Sequence, residues 1–178
     1  MKQRYQGAMV ASPLMSVLAA CAASQAPPAG SVPEPLRAPP SQVLAIQVHA
    51  TGVQIYDCRP SKRDPTRVEW TLRAPEADLS DRAGKTVGKH YAGPTWEAKD
   101  GSKVVGEVVA RDNGPDPAAI PWLLLHATSA TGTGIFAQTQ SIQRLRTVGG
   151  KAPAEGCTEA QNGSQLRVPY AADYLFYR

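Results

Sequence analysis

The sequence has few of the residues that mark metal-binding or catalytic proteins. Its 178 residues include three histidines and three cysteines, and neither type shows the close pairing that zinc sites use. The Gly-x-Ser-x-Gly motif, which would indicate a serine nucleophile, does not occur. The sequence therefore predicts no metal site and no cofactor, and it identifies no catalytic residue.

The chain also lacks a strong charge of either sign. Its formal net charge is +4 at pH 7, and two of the positive charges, Lys2 and Arg4, lie at the extreme N-terminus. No cluster of basic residues with interleaved aromatic residues occurs, so the sequence argues against a nucleic-acid partner.

Long apolar runs are lacking too, and the one uncharged stretch near the N-terminus is short. Ala8 to Ala20 carry no charge, but a helix needs about 20 apolar residues to span a bilayer. Behind the two basic residues, this stretch has instead the length of the apolar segment of a secretory signal. It ends in Leu18-Ala19-Ala20-Cys21, which resembles the lipobox of bacterial lipoproteins, where the cysteine receives the lipid. We therefore predict a lipoprotein signal peptide over residues 1–20 and lipidation of Cys21.

The predicted lipid would anchor an exported protein to the cell envelope. Ala22 is not the aspartate that often retains such proteins at the inner membrane, so we expect the outer membrane, with the domain facing the periplasm. The alternative is ordinary signal cleavage within Ala19 to Ala23, which would release a soluble protein.

A proline-rich segment follows the predicted lipidation site. Six of the 16 prolines lie between Gln25 and Gln42, and proline restricts φ and lacks an N–H donor. We interpret residues 21–42 as the lipidated cysteine and an extended tether, and residues 43–178 as a single β-rich domain. For Val32 to Leu36, packing against that domain is the alternative.

Lipidation of Cys21 would leave an even pair of cysteines, Cys58 and Cys157. Outside the cytoplasm such a pair usually forms a disulfide. Closing a loop of about 100 residues stabilises a fold by up to roughly 4–5 kcal/mol in the chain-entropy model. We predict a structural disulfide, with two free thiols or a redox pair as the alternatives.

Alternation of apolar and polar residues runs through the rest of the chain, with almost no helical periodicity. Val43 to Val48 is a β-type run, and Ala50-Thr51-Gly52 is interpreted as a turn into a second strand, Val53 to Cys58. Trp122 to Ala127 favours a buried strand over a short helix. About eight short strands at this spacing predict an all-β, mainly antiparallel domain, either a β-sandwich or a distorted barrel with long loops.

The strongest hairpin signal is Asp100-Gly101, which favours a two-residue type I′ turn. That turn would join Thr95–Lys99 to Ser102–Val105. It predicts that Trp96 lies opposite Val105 and Glu97 opposite Val104.

Several segments together resemble one family of secreted bacterial and fungal proteins. They include Gly52-Val53-Gln54-Ile55-Tyr56-x-Cys58, His90-Tyr91-Ala92-Gly93-Pro94-Thr95-Trp96-Glu97, Ile120-Pro121-Trp122-Leu123-Leu124, Gln143-Arg144, Thr147-x-Gly149-Gly150 and Val168-Pro169-Tyr170-x-Ala172-Asp173-Tyr174. The family is catalogued as domain of unknown function three-four-five-five, and the resemblance covers residues 32–178. It implies an exported globular domain and fits a Cys58–Cys157 pair, but it implies no activity and no catalytic residues. A dehydrogenase label carried by some fungal relatives finds no support, because no Gly-x-Gly-x-x-Gly turn is present.

The densest group of chemically versatile residues is His90, Tyr91, Trp96 and Glu97. An imidazole transfers protons near neutral pH, a carboxylate acts as a base, and an indole offers a stacking surface. Gly93-Pro94 can bend the chain so that His90 and Glu97 meet. The alternative is structural, with the aromatic side chains in the core and His90 as a hydrogen-bonded rim residue.

Three hypotheses of function follow. The first is a non-catalytic envelope module that binds a small molecule, a glycan or a protein through the surface around His90 and Glu97. The second is a hydrolase or isomerase that uses His90 with Glu97 or Asp173 as acid and base, which requires these groups to lie within hydrogen-bonding reach. The third is a structural or assembly protein of the envelope.

Overall fold

The alternating apolar pattern produces eight antiparallel β-strands in the computed structural model, which describes residues 32–178. The strands are β1 (Leu44–Pro60), β2 (Val68–Ser80), β3 (Thr86–Tyr91), β4 (Thr95–Ala98), β5 (Lys103–Asp112), β6 (Trp122–Thr131), β7 (Ser141–Gly149) and β8 (Gln165–Tyr177). Two single 3₁₀ turns, Glu34–Leu36 and Glu159–Gln161, accompany them. The predicted signal peptide, Cys21 and the first part of the predicted tether lie outside the described residues.

The sheet closes on itself as a ring of eight strands. Each strand pairs with the next along the chain, and β1 also pairs with β8, from Leu44 opposite Tyr177 to Asp57 opposite Gln165. The prediction of an all-β antiparallel domain is confirmed. Of its two forms, the barrel is the one that the strand pairing produces.

The interior of the ring is filled at one end by large side chains. Trp96, Phe136 and Phe176 are at most 1% exposed, and the rings of Phe136 and Phe176 lie 4.4 Å apart. The alternating residues of β8, from Tyr170 to Phe176, all join this core, as their shared side predicts. The other end of the ring is less filled, and the cavity described below lies there.

The segment that precedes β1 packs on the outer surface of the ring. Leu36 is fully buried in a second apolar cluster with Leu145, Leu175 and Tyr177. Gln143 Nε2 donates a hydrogen bond to the carbonyl of Leu36 at 2.5 Å. Residues 32–38 of the predicted tether are therefore held against the domain, as the packing alternative for Val32 to Leu36 describes.

The predicted turn at residues 50–52 is wrong, because β1 runs through it as one strand of 17 residues. Gly52 lies within β1 and allows β2 to approach closely; it does not form a turn. A Cβ at this position would collide with the backbone carbonyl of Glu76 on β2.

The predicted hairpin exists, but its register is shifted by one residue. Trp96 lies opposite Val104, and Glu97 lies opposite Lys103. The loop has three residues rather than two, with Gly101 at φ +85°, which is the left-handed region. Asp100 stabilises this longer loop, because its Oδ1 accepts hydrogen bonds from the backbone N–H and the hydroxyl of Ser102.

The predicted disulfide joins Cys58 and Cys157, with a Cα–Cα distance of 6.1 Å. It ties the end of β1 to the connection between β7 and β8. Trp70 Nε1 holds the same connection through a hydrogen bond of 3.1 Å to the carbonyl of Gly156. Among residues 32–178, no helix has the length and apolarity needed to cross a membrane.

Candidate functional site

A cavity of about 350 Å³ lies inside the ring at the end where β1 finishes and β2 begins. Its volume is within the range of small-molecule sites, roughly 300–1,000 Å³. The turn between β3 and β4 and the loop between β5 and β6 form part of its rim. Its polar and aromatic lining comprises Gln54, Tyr56, Arg73, His90, Trp96, Arg111, Arg144 and Tyr174, and its apolar lining includes Leu72, Pro75, Val108, Ile120, Leu123 and Leu125.

His90 and Trp96 form one wall of the cavity as a stacked pair. They lie opposite each other in the register of β3 and β4, and both side chains point into the ring. Their ring centroids are 4.4 Å apart with an interplanar angle of 8°. Tyr174 meets both rings edge-on, at 5.0 Å from His90 and 5.2 Å from Trp96.

His90 is a neutral imidazole with a defined tautomer. Its Nδ1 lies 2.8 Å from the carbonyl of Thr95, and since a carbonyl only accepts, Nδ1 carries the proton. Burial lowers the pKa of His90 from 6.5 to about 3, and the nearby charge of Arg144 adds to the decrease. Nε2 is therefore left as an acceptor at neutral pH.

Glu97 and Tyr91 lie on the opposite face of the sheet from His90. The Tyr91 hydroxyl donates a hydrogen bond of 2.5 Å to Glu97 Oε2 on the outer surface, and this bond lowers the pKa of Glu97. Lys103 Nζ lies 3.4 Å from the same carboxylate. The prediction that Gly93-Pro94 brings His90 and Glu97 together is wrong, because the register pairs His90 with Trp96, and Glu97, the next residue on β4, therefore points to the opposite face.

Asp173 also points away from His90. It lies on the outer face of β8, where its carboxylate is 2.8 Å from His49 Nδ1 and 2.6 Å from Arg146 Nε. The side chain of His49 is 51% exposed, so this group is a solvated surface cluster. Neither carboxylate that was predicted to act with His90 can reach it.

Arg144 places a positive charge in the cavity. Its Nε and Nη2 donate hydrogen bonds of 3.0 and 2.8 Å to the carbonyl of Pro121, which fixes one edge of the guanidinium. Within residues 32–178, no carboxylate forms an ion pair with it. The charge of Arg144 also acts to lower the pKa values of Tyr56, His90 and Tyr174, because these three groups lie around its guanidinium.

Several buried polar groups around Arg144 have no hydrogen-bond partner in the part of the chain that the structure describes. They are Gln54 Nε2, Trp96 Nε1 and the hydroxyls of Tyr170 and Tyr174, all on residues at most 3% exposed. Burial raises the pKa of both tyrosines, so both hydroxyls remain protonated. An unpaired buried polar group costs roughly 1–3 kcal/mol. Gln54, Trp96 and Tyr174 also line the cavity, but their unpaired atoms are themselves buried out of contact with solvent.

The cavity has no negative charge in its lining, which contains three arginines and no aspartate or glutamate. Arg73 and Arg111 are exposed at the rim, whereas Arg144 is partly buried. The described residues contain no group of three or more histidine, cysteine or carboxylate side chains placed to hold a metal ion.

Sequence reasoning identified His90 and Trp96 as candidates but missed Gln54, Arg144 and Tyr174. The signal that could have found Gln54 is a polar residue in step with Val48 and Ala50 on the inward side of β1. Arg144 similarly alternates with Ile142. Only the closure of the ring brings these residues, on β1, β7 and β8, to the same cavity.

Comparison with known proteins identifies a family to which the chain is similar. The model of the family described as Protein of unknown function (DUF3455) matches residues 39–178. This match agrees with the resemblance to an uncharacterised family seen in the sequence. No curated protein matches the chain.

Proposed function

Because the chain belongs to this family of proteins of unknown function, no activity follows from its membership, and we propose that it is a non-catalytic module that binds a small molecule inside the barrel. The observation that carries the proposal is the cavity of about 350 Å³, whose lining combines apolar side chains with the partly buried guanidinium of Arg144. A ligand that covers the apolar lining and accepts hydrogen bonds from Arg144 would gain free energy from both contacts.

The geometry that acid–base catalysis by His90 and a carboxylate requires is not present. His90 faces the interior, and Glu97 and Asp173 face the outside of the ring. A neutral imidazole with a pKa of about 3 is also a weak base, since a base works best when its pKa is near the working pH. The imidazole of His90 instead stacks on the indole of Trp96 inside the ring.

The setting of this module is part of the proposal. A lipid on Cys21 would hold the domain at the cell envelope, where the ligand-binding end of the barrel would be exposed to periplasmic solutes. The Cys58–Cys157 disulfide supports a location outside the cytoplasm, because disulfides persist in oxidising compartments.

The test is to fill the cavity and to follow binding of an uncharged dye, N-phenyl-1-naphthylamine, by its fluorescence. Val108→Trp adds a large side chain at the cavity wall, and we expect the dye to bind at least about tenfold more weakly, a change of about 1.4 kcal/mol. Val109→Trp is the matched control, because the next residue on β5 is 59% exposed. It should bind the dye like the parent protein.

Two results would contradict the proposal. One is a parent protein that does not bind the dye at all. The other is equal weakening by the two tryptophan variants, both shown to be folded by thermal unfolding, which would place the dye somewhere other than the cavity.

A further inference from the structure

The polar group of the lining that can meet a ligand inside the cavity is the partly buried guanidinium of Arg144, which only donates hydrogen bonds. A ligand that pairs with it must present acceptors, and a carboxylate offers about four lone-pair sites and no donor.

Arg144 fixes both the position and the charge of that acceptor. One edge of its guanidinium is taken by the carbonyl of Pro121, and no carboxylate among residues 32–178 pairs with the other edge. A free guanidinium edge matches a carboxylate through two parallel hydrogen bonds. Arg73 and Arg111 lie exposed at the rim, so Arg144 supplies the positive charge that a single carboxylate would meet inside the cavity.

The remaining walls require an apolar body on the ligand. Val108, Ile120, Leu123 and Leu125 line the space beside Arg144. A flat aromatic or short branched apolar group would cover these side chains. Burial of apolar surface then supplies most of the affinity, and Arg144 sets the orientation.

We propose that the barrel binds a small monocarboxylate with an apolar body, its carboxylate held by Arg144. This inference rests on the proposed function and names the class of ligand for the same cavity.

The experiment compares 1-naphthylacetate with its uncharged counterpart 1-naphthylacetamide by isothermal titration calorimetry on the purified protein. We expect the acid to bind at least about tenfold more tightly, because hydrogen bonds to a charged group are the stronger ones. Arg144→Met should weaken binding of the acid to the level of the amide and leave the amide unchanged. Arg82→Met removes the same charge from an exposed turn and should leave both affinities as in the parent protein.

Arg144→Lys provides a second variant if Arg144→Met does not fold, since it keeps the charge but loses the paired donors of the guanidinium. It should weaken binding of the acid about threefold or more and change the amide less. If the parent protein bound the acid and the amide equally well, the proposal that the ligand is a carboxylate would be overturned. Binding of the dye would still support the cavity as a binding site. If neither naphthyl compound bound, the proposed class of ligand would be overturned in the same way. If the dye did not bind either, the proposed function would be overturned as well.

Discussion

Mild acid should destabilise this protein because His90 is buried as a neutral imidazole. In the unfolded chain the residue takes up a proton below its ordinary pKa of 6.5, whereas in the folded protein its pKa is about 3. The unfolded state therefore binds more protons between these two values. The contribution of His90 to stability is complete above pH 6.5 and is lost as the pH falls towards 3.

The size of the effect follows from the shift in pKa. Each pH unit within this window lowers the free energy of unfolding by about 1.4 kcal/mol, so the loss is roughly 2 kcal/mol at pH 5 and roughly 4–5 kcal/mol at pH 3. Glu97 and Asp100 have lowered pKa values, so their contributions are lost only below their ordinary values of 4.5 and 3.8. The range from pH 6.5 to 5 therefore isolates the histidine.

The assay is urea unfolding at about pH 7.5 and pH 5, with thermal unfolding at the same pH values. A loss of 2 kcal/mol corresponds to a decrease in Tm of about 4–8 °C for a domain of this size. His90→Phe keeps a ring to stack on Trp96 but cannot titrate. It should be less stable than the parent at pH 7.5, because the carbonyl of Thr95 loses its donor, yet it should lose much less stability on acidification.

The comparison of the two pH values, rather than absolute stability, tests the reasoning. His126→Phe makes the same substitution at an exposed position of β6 and should show the pH dependence of the parent. A parent protein equally stable at pH 7.5 and 5 would refute the argument. So would a His90→Phe variant that loses as much stability as the parent.

Three further predictions concern other parts of the fold. Tyr174→Phe should raise the free energy of unfolding of the ligand-free protein by about 1 kcal/mol in urea titrations, because a buried unpaired hydroxyl is removed; a clear loss of stability would show that the hydroxyl is paired. Replacing Cys58 and Cys157 together by alanine should cost roughly 2–5 kcal/mol, and unfolding under reducing conditions should show the same decrease for the parent alone. Leu36→Ala should cost about 2–5 kcal/mol, whereas a cost near zero would mean that the segment before β1 does not pack on the barrel in solution.

The strand pattern and the disulfide could be predicted from local sequence because both depend on short-range or arithmetic signals. The alternation along β8 marks the inward residues Tyr170 to Phe176, and an even pair of cysteines indicates a bond outside the cytoplasm. The register between β4 and β5 is harder to predict from local sequence. The loop at Asp100-Gly101 gains a third residue through the contacts of Asp100 with Ser102, and this moves the residue opposite Trp96 from Val105 to Val104.

The prediction of a turn at Gly52 is wrong for a related reason. A glycine between two apolar runs is also typical of a turn, and what distinguishes the two cases is the backbone of β2, which lies too close for a side chain. That distance is a property of strand pairing, which joins residues distant in sequence.

By itself the sequence determined the class of fold and the pairing of Cys58 with Cys157, and it singled out His90 and Trp96 as candidate site residues. Only the tertiary structure decided which of the candidate residues lie together. Alternation places His90 and Trp96 inside the ring and Tyr91 and Glu97 outside it, and this division follows from register. Closure of β1 on β8 then adds Gln54, Arg144 and Tyr174, because a barrel brings inward side chains from distant strands to one cavity.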